Sequence, residues 1–358
     1  MKATQALHDL GQSLWLDDIT RDLLDSGTLK KYIDEFSVTG LTSNPTIFDN
    51  AISKSKSYDD EMKRLMKAGY SGEALFFKLA LQDLSRAADL FAPVHKKTAG
   101  VDGFVSIEVS PLLAYDTRAT IAEAKRLYAR AHKPNLFIKI SGTKEGLPAI
   151  EEAILSSVTV NVTLLFSSQD CVAAADAYMK GLERRVAAGL DPDVRSVASI
   201  FISRWDKAVL DKVPDDLRDK LGIAAAHQAY RDYRTMLASD RWQRLESLGA
   251  RPQRLLFAST STKDPRAPDT LYVSALAAPN TVNTMPDKTL LAFGDHGKFD
   301  GVLAPDGGNC EQVLAAYEKA GISIAALAAQ LQKEGAASFV SSWQDLLKSI
   351  ATKTKALN

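Results

Sequence analysis

Two cysteines stand in 358 residues, Cys171 and Cys310, far apart and outside any metal-ligand spacing. They can build neither a disulfide framework nor a zinc ribbon, and such scarcity suits a reducing compartment. No apolar run approaches the roughly 20 residues that a membrane-spanning helix needs, and the N-terminus lacks a signal-peptide pattern. Neither sign of charge is in excess, since Lys+Arg and Asp+Glu both total 44. Bulk electrostatics therefore recruits neither nucleic acid nor an anionic membrane. Gly-x-Gly-x-x-Gly turns, a Walker loop, a Gly-x-Ser-x-Gly elbow and His-Glu-x-x-His are all missing. The five histidines, His8, His95, His132, His227 and His296, sit at no expected strand end. Dinucleotide binding, P-loop chemistry, serine hydrolysis and zinc hydrolysis thus lose their usual carriers. The expectation is a cytoplasmic protein with no metal, no cofactor, no nucleic acid and no membrane among its partners.

What is there has an ordinary globular balance, 46% hydrophobic and 25% charged, enough for a full core. Eight strand-like runs recur: SLWLDD (13–18), GLTSN (40–44), GFVSIEV (103–109), LFIKI (136–140), TVNVTLLF (159–166), RSVASIF (195–201), RLLFAST (254–260) and TVNTM (281–285). Helical patterns separate them, as at 73–90 and at 115–132, where Ile121, Ala124, Leu127 and Tyr128 share a stripe. Strands alternating with helices indicate parallel β-α units. Eight such units suit an α/β fold, a closed (β/α)8 TIM barrel, which needs roughly 250 residues. The surplus is expected as helical insertions near 50–100 and 205–250 and a helical tail over 287–358. That tail divides into helices at 309–320, 322–333 and 336–350. With no linker or repeat beyond this rhythm, the expectation is one domain over 1–358.

LFIKISGTKEG (136–146) sets one lysine, Lys139, between Ile138 and Ile140. Side chains alternate across a strand, so Phe137, Lys139 and Ser141 share the face opposite the isoleucines. Burial disfavours an ammonium, and a neutral amine is a nucleophile for carbonyl carbon. An edge strand reaching into water is the plainer alternative for this segment alone. Other strands repeat the pattern. Thr159, Asn161 and Thr163 alternate with Val160, Val162 and Leu164; Ser106 and Glu108 with Ile107 and Val109; Trp15 and Asp17 with Leu14 and Leu16. In a barrel coated by helices the apolar set faces outward and the polar set meets at the axis. An exposed sheet face is the alternative. Asp18 reads as a helix N-cap, and Asn44-Pro45 could be only a turn. Arg204, Ser259 and Lys263 could be ordinary loop and surface residues. Their shared position at C-terminal strand ends raises them, because barrel active sites lie there.

Taken together, WLDD (15–18), GLTSNPTIFDNAI (40–52), SIEVSPLLAYDT (106–117), IKISGTKEGLPAIEEAI (138–154), VNVTLLFS (160–167), ASIFISRWD (198–206), FASTSTKDP (257–265) and TLYVSALAAPNTVNTMP (270–286) resemble the transaldolase family. The resemblance runs from about residue 10 to the C-terminus. It implies a class I aldolase barrel with Lys139 as the Schiff-base lysine and Asp17 as acid/base. Glu108 and Thr163 match the pair that holds a catalytic water. Asn44 and Asn161 match residues that bind substrate hydroxyls. Ser199, Arg204, Ser259 and Lys263 fall where the family grips a sugar phosphate. Two departures stand out: Ser141 replaces the usual proline after Ile-Lys-Ile, and serine, at Ser261, stands where some branches carry a phosphate-loop arginine.

The implied reaction moves a dihydroxyacetone unit from sedoheptulose 7-phosphate to glyceraldehyde 3-phosphate, giving erythrose 4-phosphate and fructose 6-phosphate. Sugar phosphates are the expected partners, in a monomer or homodimer. A simple aldolase on the same barrel, or a silent sugar-phosphate binder, are the competing readings.

Overall fold

The computed structural model describes residues 2–299 and 301–357. Its strands are β1 (Ser13–Asp17), β2 (Val38–Thr42), β3 (Val105–Glu108), β4 (Leu136–Ser141), β5 (Val160–Leu165), β6 (Ser196–Phe201), β7 (Arg254–Ala258) and β8 (Val282–Met285). They pair in parallel in chain order, and β8 closes onto β1. The expected (β/α)8 barrel is what forms. Along each strand the aliphatic set, including Leu14, Leu16, Ile107, Ile138, Ile140, Val160, Val162 and Ile200, joins the core beneath the helices.

The opposite faces meet at the axis in tiers. Trp15, Phe104, Phe137, Val197, Leu256 and Val282 belong to an inner apolar cluster. Phe137 stacks on Phe104 at 4.2 Å and lies 6.0 Å from Trp15. The indole donates to Asp102 Oδ1 at 2.8 Å, so its one polar atom is satisfied. Glycine at position 40 makes room for it: a Cβ there would lie 2.7 Å from the indole and 2.6 Å from the Phe104 carbonyl oxygen. Two residues further along the same strand faces come Asp17, Thr42, Lys139, Ser199 and Thr284. A floor of rings thus carries a polar tier.

Several boundaries differ from expectation for identifiable reasons. β2 ends at Thr42, because Asn44 caps the helix Pro45–Lys54, its Oδ1 accepting from Ile47 N at 3.0 Å. Asp18 is no cap. Thr20 begins the helix Arg21–Asp25 and accepts from Leu23 N at 2.9 Å. Leu164 does not face outward with Val160 and Val162. The β5–β6 register shifts between Val162 and Leu165, and Leu164 takes φ 58°, which takes it out of the core of Val160 and Val162 and into the second apolar cluster, beside Phe166 and Phe339.

The tail follows the chain only partly as read. A helix at Asp287–His296 follows β8, and another at Cys310–Lys319 ends before Gly321. The two last expected helices are one, Ile324–Leu357, running through Gly335. That glycine is a contact, not a break: a Cβ there would sit 2.9 Å from Leu164 Cδ2. Trp343 on this helix packs 5.1 Å from Phe76 and 5.7 Å from Phe77. The insertion at 50–100 holds the helices Asp59–Lys67 and Gly72–Lys97, and that at 205–250 holds Leu221–Leu237 and Asp240–Ser247. Among the described residues no helix is long and apolar enough to cross a membrane.

Candidate active site

At the C-terminal mouth of the barrel lies a cavity of about 370 Å³. Asp17, Asn44, Lys139, Thr163, Ser199, Arg204, Ser259 and Lys263 all line it. Glu108 and Asn161, the other two residues singled out from the sequence, lie just beneath, each buried. Crevices of about 690, 750 and 670 Å³ open elsewhere, but none is lined by Lys139, Asp17 or Glu108. Depth of chemistry, not size, marks the site.

β4 delivers Lys139 from the strand centre, so the amine rises along the barrel axis with only 5% of the residue exposed. Its Nζ donates to the Ser43 carbonyl at 3.2 Å and lies 3.5 Å from Glu108 Oε2. The second contact is an ion pair too loose to be a strong hydrogen bond. β3 and β4 set Glu108 and Lys139 in register, as β4 and β5 do Lys139 and Asn161. Asn161 is held on two sides: Nδ2 donates to Ser106 Oγ at 3.2 Å, and Oδ1 accepts from Ser199 Oγ at 2.7 Å. Ser199 therefore spends its proton on Asn161. Ser141 closes β4 opposite Thr163, an ordinary strand position despite its unusual identity.

Both carboxyls flanking the amine are perturbed. Burial raises Asp17 above the usual carboxylate range, against the lowering pull of Lys139, a Thr42 hydrogen bond and Lys263. Burial likewise raises Glu108; Lys139 opposes that rise and Asp17 adds to it. Perturbed groups gathered in one cleft are a mark of catalytic sites. Both Glu108 carboxylate oxygens and the Thr163 hydroxyl are buried without a hydrogen-bond partner among the described residues. Leaving such groups unpaired costs roughly 1–3 kcal/mol each, more when charged, so they favour a polar occupant beside the amine.

The far wall is cationic. Arg204 and Lys263 line it with Ser259 and Ser261, and Lys263 Nζ donates to Ser261 Oγ at 2.6 Å. Burial first, then Arg204 and Lys207, hold the Lys263 ammonium below its usual range. The neighbouring carboxylate Asp264 is taken by Arg218 at 2.7 Å and Arg266 at 3.5 Å. Arg204 and Lys263 thus have no ion pair among the described residues. Like charges held together without a counterion are a natural seat for phosphate. Ser259 holds φ 56°, its hydroxyl 2.8 Å from that of Ser203. A non-glycine residue in this region costs of order 1–3 kcal/mol, and such strain collects at functional sites.

Sequence reasoning missed part of the lining. Thr42 Oγ1 donates to Asp17 Oδ1 at 2.7 Å and lies 2.7 Å from Thr284 Oγ1. With its proton spent on Asp17, Thr42 must accept from Thr284. Two-residue alternation from Gly40 and Val282 would have found both threonines. Phe201 also faces the cavity from β6, and Ser338 and Phe339 enter from the last helix. No strand pattern could reveal those two. Among the described residues no group of three or more His, Cys, Asp or Glu is placed to hold a metal ion.

A family model described as Transaldolase/Fructose-6-phosphate aldolase matches residues 14–350. A relative named transaldolase from Renibacterium salmoninarum is 46% identical, the match covering 98% of both chains. Another, from Arthrobacter sp. (strain FB24), is 46% identical over 96% of this chain and 95% of its own. A third, from Thermobifida fusca, is 44% identical over 98% of both.

Proposed function

Because this chain belongs to the transaldolase/fructose-6-phosphate aldolase family, we propose that it moves a dihydroxyacetone unit between sugar phosphates through a Schiff base on Lys139. The reaction is the exchange of sedoheptulose 7-phosphate and glyceraldehyde 3-phosphate for erythrose 4-phosphate and fructose 6-phosphate, a step of the non-oxidative pentose phosphate pathway in the cytoplasm. The observation that carries the reading is the Lys139 amine, buried at the barrel mouth beside two perturbed carboxyls.

The unprotonated amine adds to the ketone carbon of the donor, and loss of water leaves a protonated imine. That cation draws in the electron pair of the neighbouring carbon–carbon bond once Asp17 removes the adjacent hydroxyl proton. The aldose phosphate departs. Thr42 and Thr284 orient Asp17 through their relay of hydroxyls. Glu108 and Thr163 are the groups to hold the water that imine formation releases and hydrolysis consumes. The Asn44 side-chain oxygen is occupied by the helix cap, which leaves its amide to donate to a substrate hydroxyl. Asn161, locked by Ser106 and Ser199, presents its remaining capacity to the bound fragment. Arg204 and Lys263 with Ser259 take the phosphate, and anchoring it lowers the barrier by fixing the reacting atoms in place.

The test is a ketose 6-phosphate donor supplied with and without an acceptor aldose phosphate. The proposal expects fast formation of the transferred ketose with acceptor and slow turnover without it. Equal rates of free dihydroxyacetone release in both arms would mean a simple aldolase. Binding without either product would mean a silent binder.

A further inference from the structure

The last helix, Ile324–Leu357, does more than pack against the barrel, because it supplies part of the cavity wall. Gln332 Nε2 donates to the carbonyls of Gly142 at 3.2 Å and Leu164 at 3.0 Å, fastening the helix across the ends of β4 and β5. Gly335 lets the helix come down onto Leu164. One turn later Phe339 lies with its ring centroid 5.7 Å from Lys139 Nζ and 6.4 Å from the Phe201 ring. The residue is 7% exposed and lines the cavity. The ring and the Lys139 amine thus face one another across the cavity wall.

Resting on the Schiff-base reading above, we infer that Phe339 is a specificity-determining residue that decides between transfer and release of the three-carbon unit. After cleavage that unit is an enamine on Lys139, with an electron pair on the carbon next to the carbon–nitrogen bond. In transfer the pair attacks the aldehyde carbon of the acceptor, a carbon–carbon bond forms, and the aldehyde oxygen takes the proton held by Asp17. In release the same carbon takes a proton from water, and water oxygen adds to the imine carbon. The carbon–nitrogen bond then breaks, freeing dihydroxyacetone and the amine with net use of one water. Both routes end in hydrolysis. They differ in whether the carbon meets a proton or an aldehyde first. A ring seated over the amine keeps bulk water from that carbon while the cavity stays open toward Arg204 and Lys263, where the acceptor's phosphate would enter.

The test measures free dihydroxyacetone release against transfer, with fructose 6-phosphate as donor and erythrose 4-phosphate as acceptor. Borohydride trapping on Lys139 is run in parallel on every variant. Phe339→Ala is expected to raise the release-to-transfer ratio about tenfold, equivalent to a barrier change of about 1.4 kcal/mol. Phe339→Leu, which keeps apolar bulk, should raise it less, and the Lys139 adduct should persist in both. Gln332→Ala, which unfastens the helix without touching the ring, should move the ratio the same way. An unchanged ratio in Phe339→Ala and Gln332→Ala with the adduct intact overturns the inference. Parallel loss of release and transfer, or loss of the adduct in Phe339→Ala, overturns it too, since the ring would then serve only packing or imine formation. Absence of any Lys139 adduct in the unaltered protein would instead bring down the Schiff-base reading on which this one stands.

Discussion

Lys139 and the groups around it divide the labour by charge. The amine has Glu108 on one side and the ring of Phe339 on another. Lys139→Ala should cut turnover by more than about 10⁴-fold, since a residue acting within a catalytic unit is lost with the unit. Unchanged circular dichroism would show the fold intact, and residual activity near that of the unaltered protein would refute the assignment. As the proposed acid/base, Asp17 must be ionised to accept a hydroxyl proton, and because burial raises it, activity should fall on acidification at a higher pH than an ordinary carboxylate would impose. Asp17→Asn should lower kcat by roughly 10²–10⁴-fold and abolish that acid limb. A retained limb would give the titration to another group. Arg204→Ala should raise KM for sugar phosphates by about 10- to 100-fold, the equivalent of one charge-assisted hydrogen bond, with a smaller effect on phosphate-free analogues. Asp18 answers a different question. Its carboxyl is pushed up to about 6, first by burial and then by Asp17. A raised carboxyl value means that the native state holds a proton the unfolded chain has lost between about pH 4 and 6. Stability therefore declines as pH rises through that window. Asp18→Asn should raise Tm at pH 8 and leave it nearly unchanged at pH 4; equal gains at both values would contradict the linkage.

At the scale of elements, two close approaches set the site. Gly40 admits the Trp15 indole, so Gly40→Ala should cost about 1–3 kcal/mol or more, measured by chemical denaturation, by forcing the ring or the Phe104 backbone aside. Trp343 fixes the last helix to the aromatic face of Phe76 and Phe77, and Trp343→Ala should cost roughly 3–5 kcal/mol. The strands were readable from sequence because their two-residue alternation separates helix-facing Ile and Val from axis-facing polar groups. Lys139, Asp17 and Glu108 stood out for the same reason. Leu164 was misread because a register shift is a property of two strands together, and nothing in TVNVTLLF announces a left-handed residue. The tail was misread at Gly335, where glycine serves a tertiary contact rather than a break. Phe339 was out of reach altogether: its place at the cavity depends on where a helix about 200 residues after Lys139 comes to rest.

Across the whole molecule, the closed order β1 to β8 is what turns scattered strand ends into one mouth. Asp17 and Thr284 come from the two strands that seal the ring, so the proposed acid/base gains the Thr284 end of its relay only once β8 has joined β1. The rhythm of strands and helices foretold that closure, because eight parallel units with helices on one face have few other ways to bury both sheet edges. The polar tier and the floor of rings below it follow from the same closure, because successive inward-facing residues of a strand fall in successive layers.

Mass spectrometry after borohydride reduction in the presence of fructose 6-phosphate tests the central claim most directly. The account predicts a reduced three-carbon adduct on the peptide that carries Lys139, absent when borohydride or sugar is withheld. Turnover with no adduct, or an adduct on a different lysine, would contradict it.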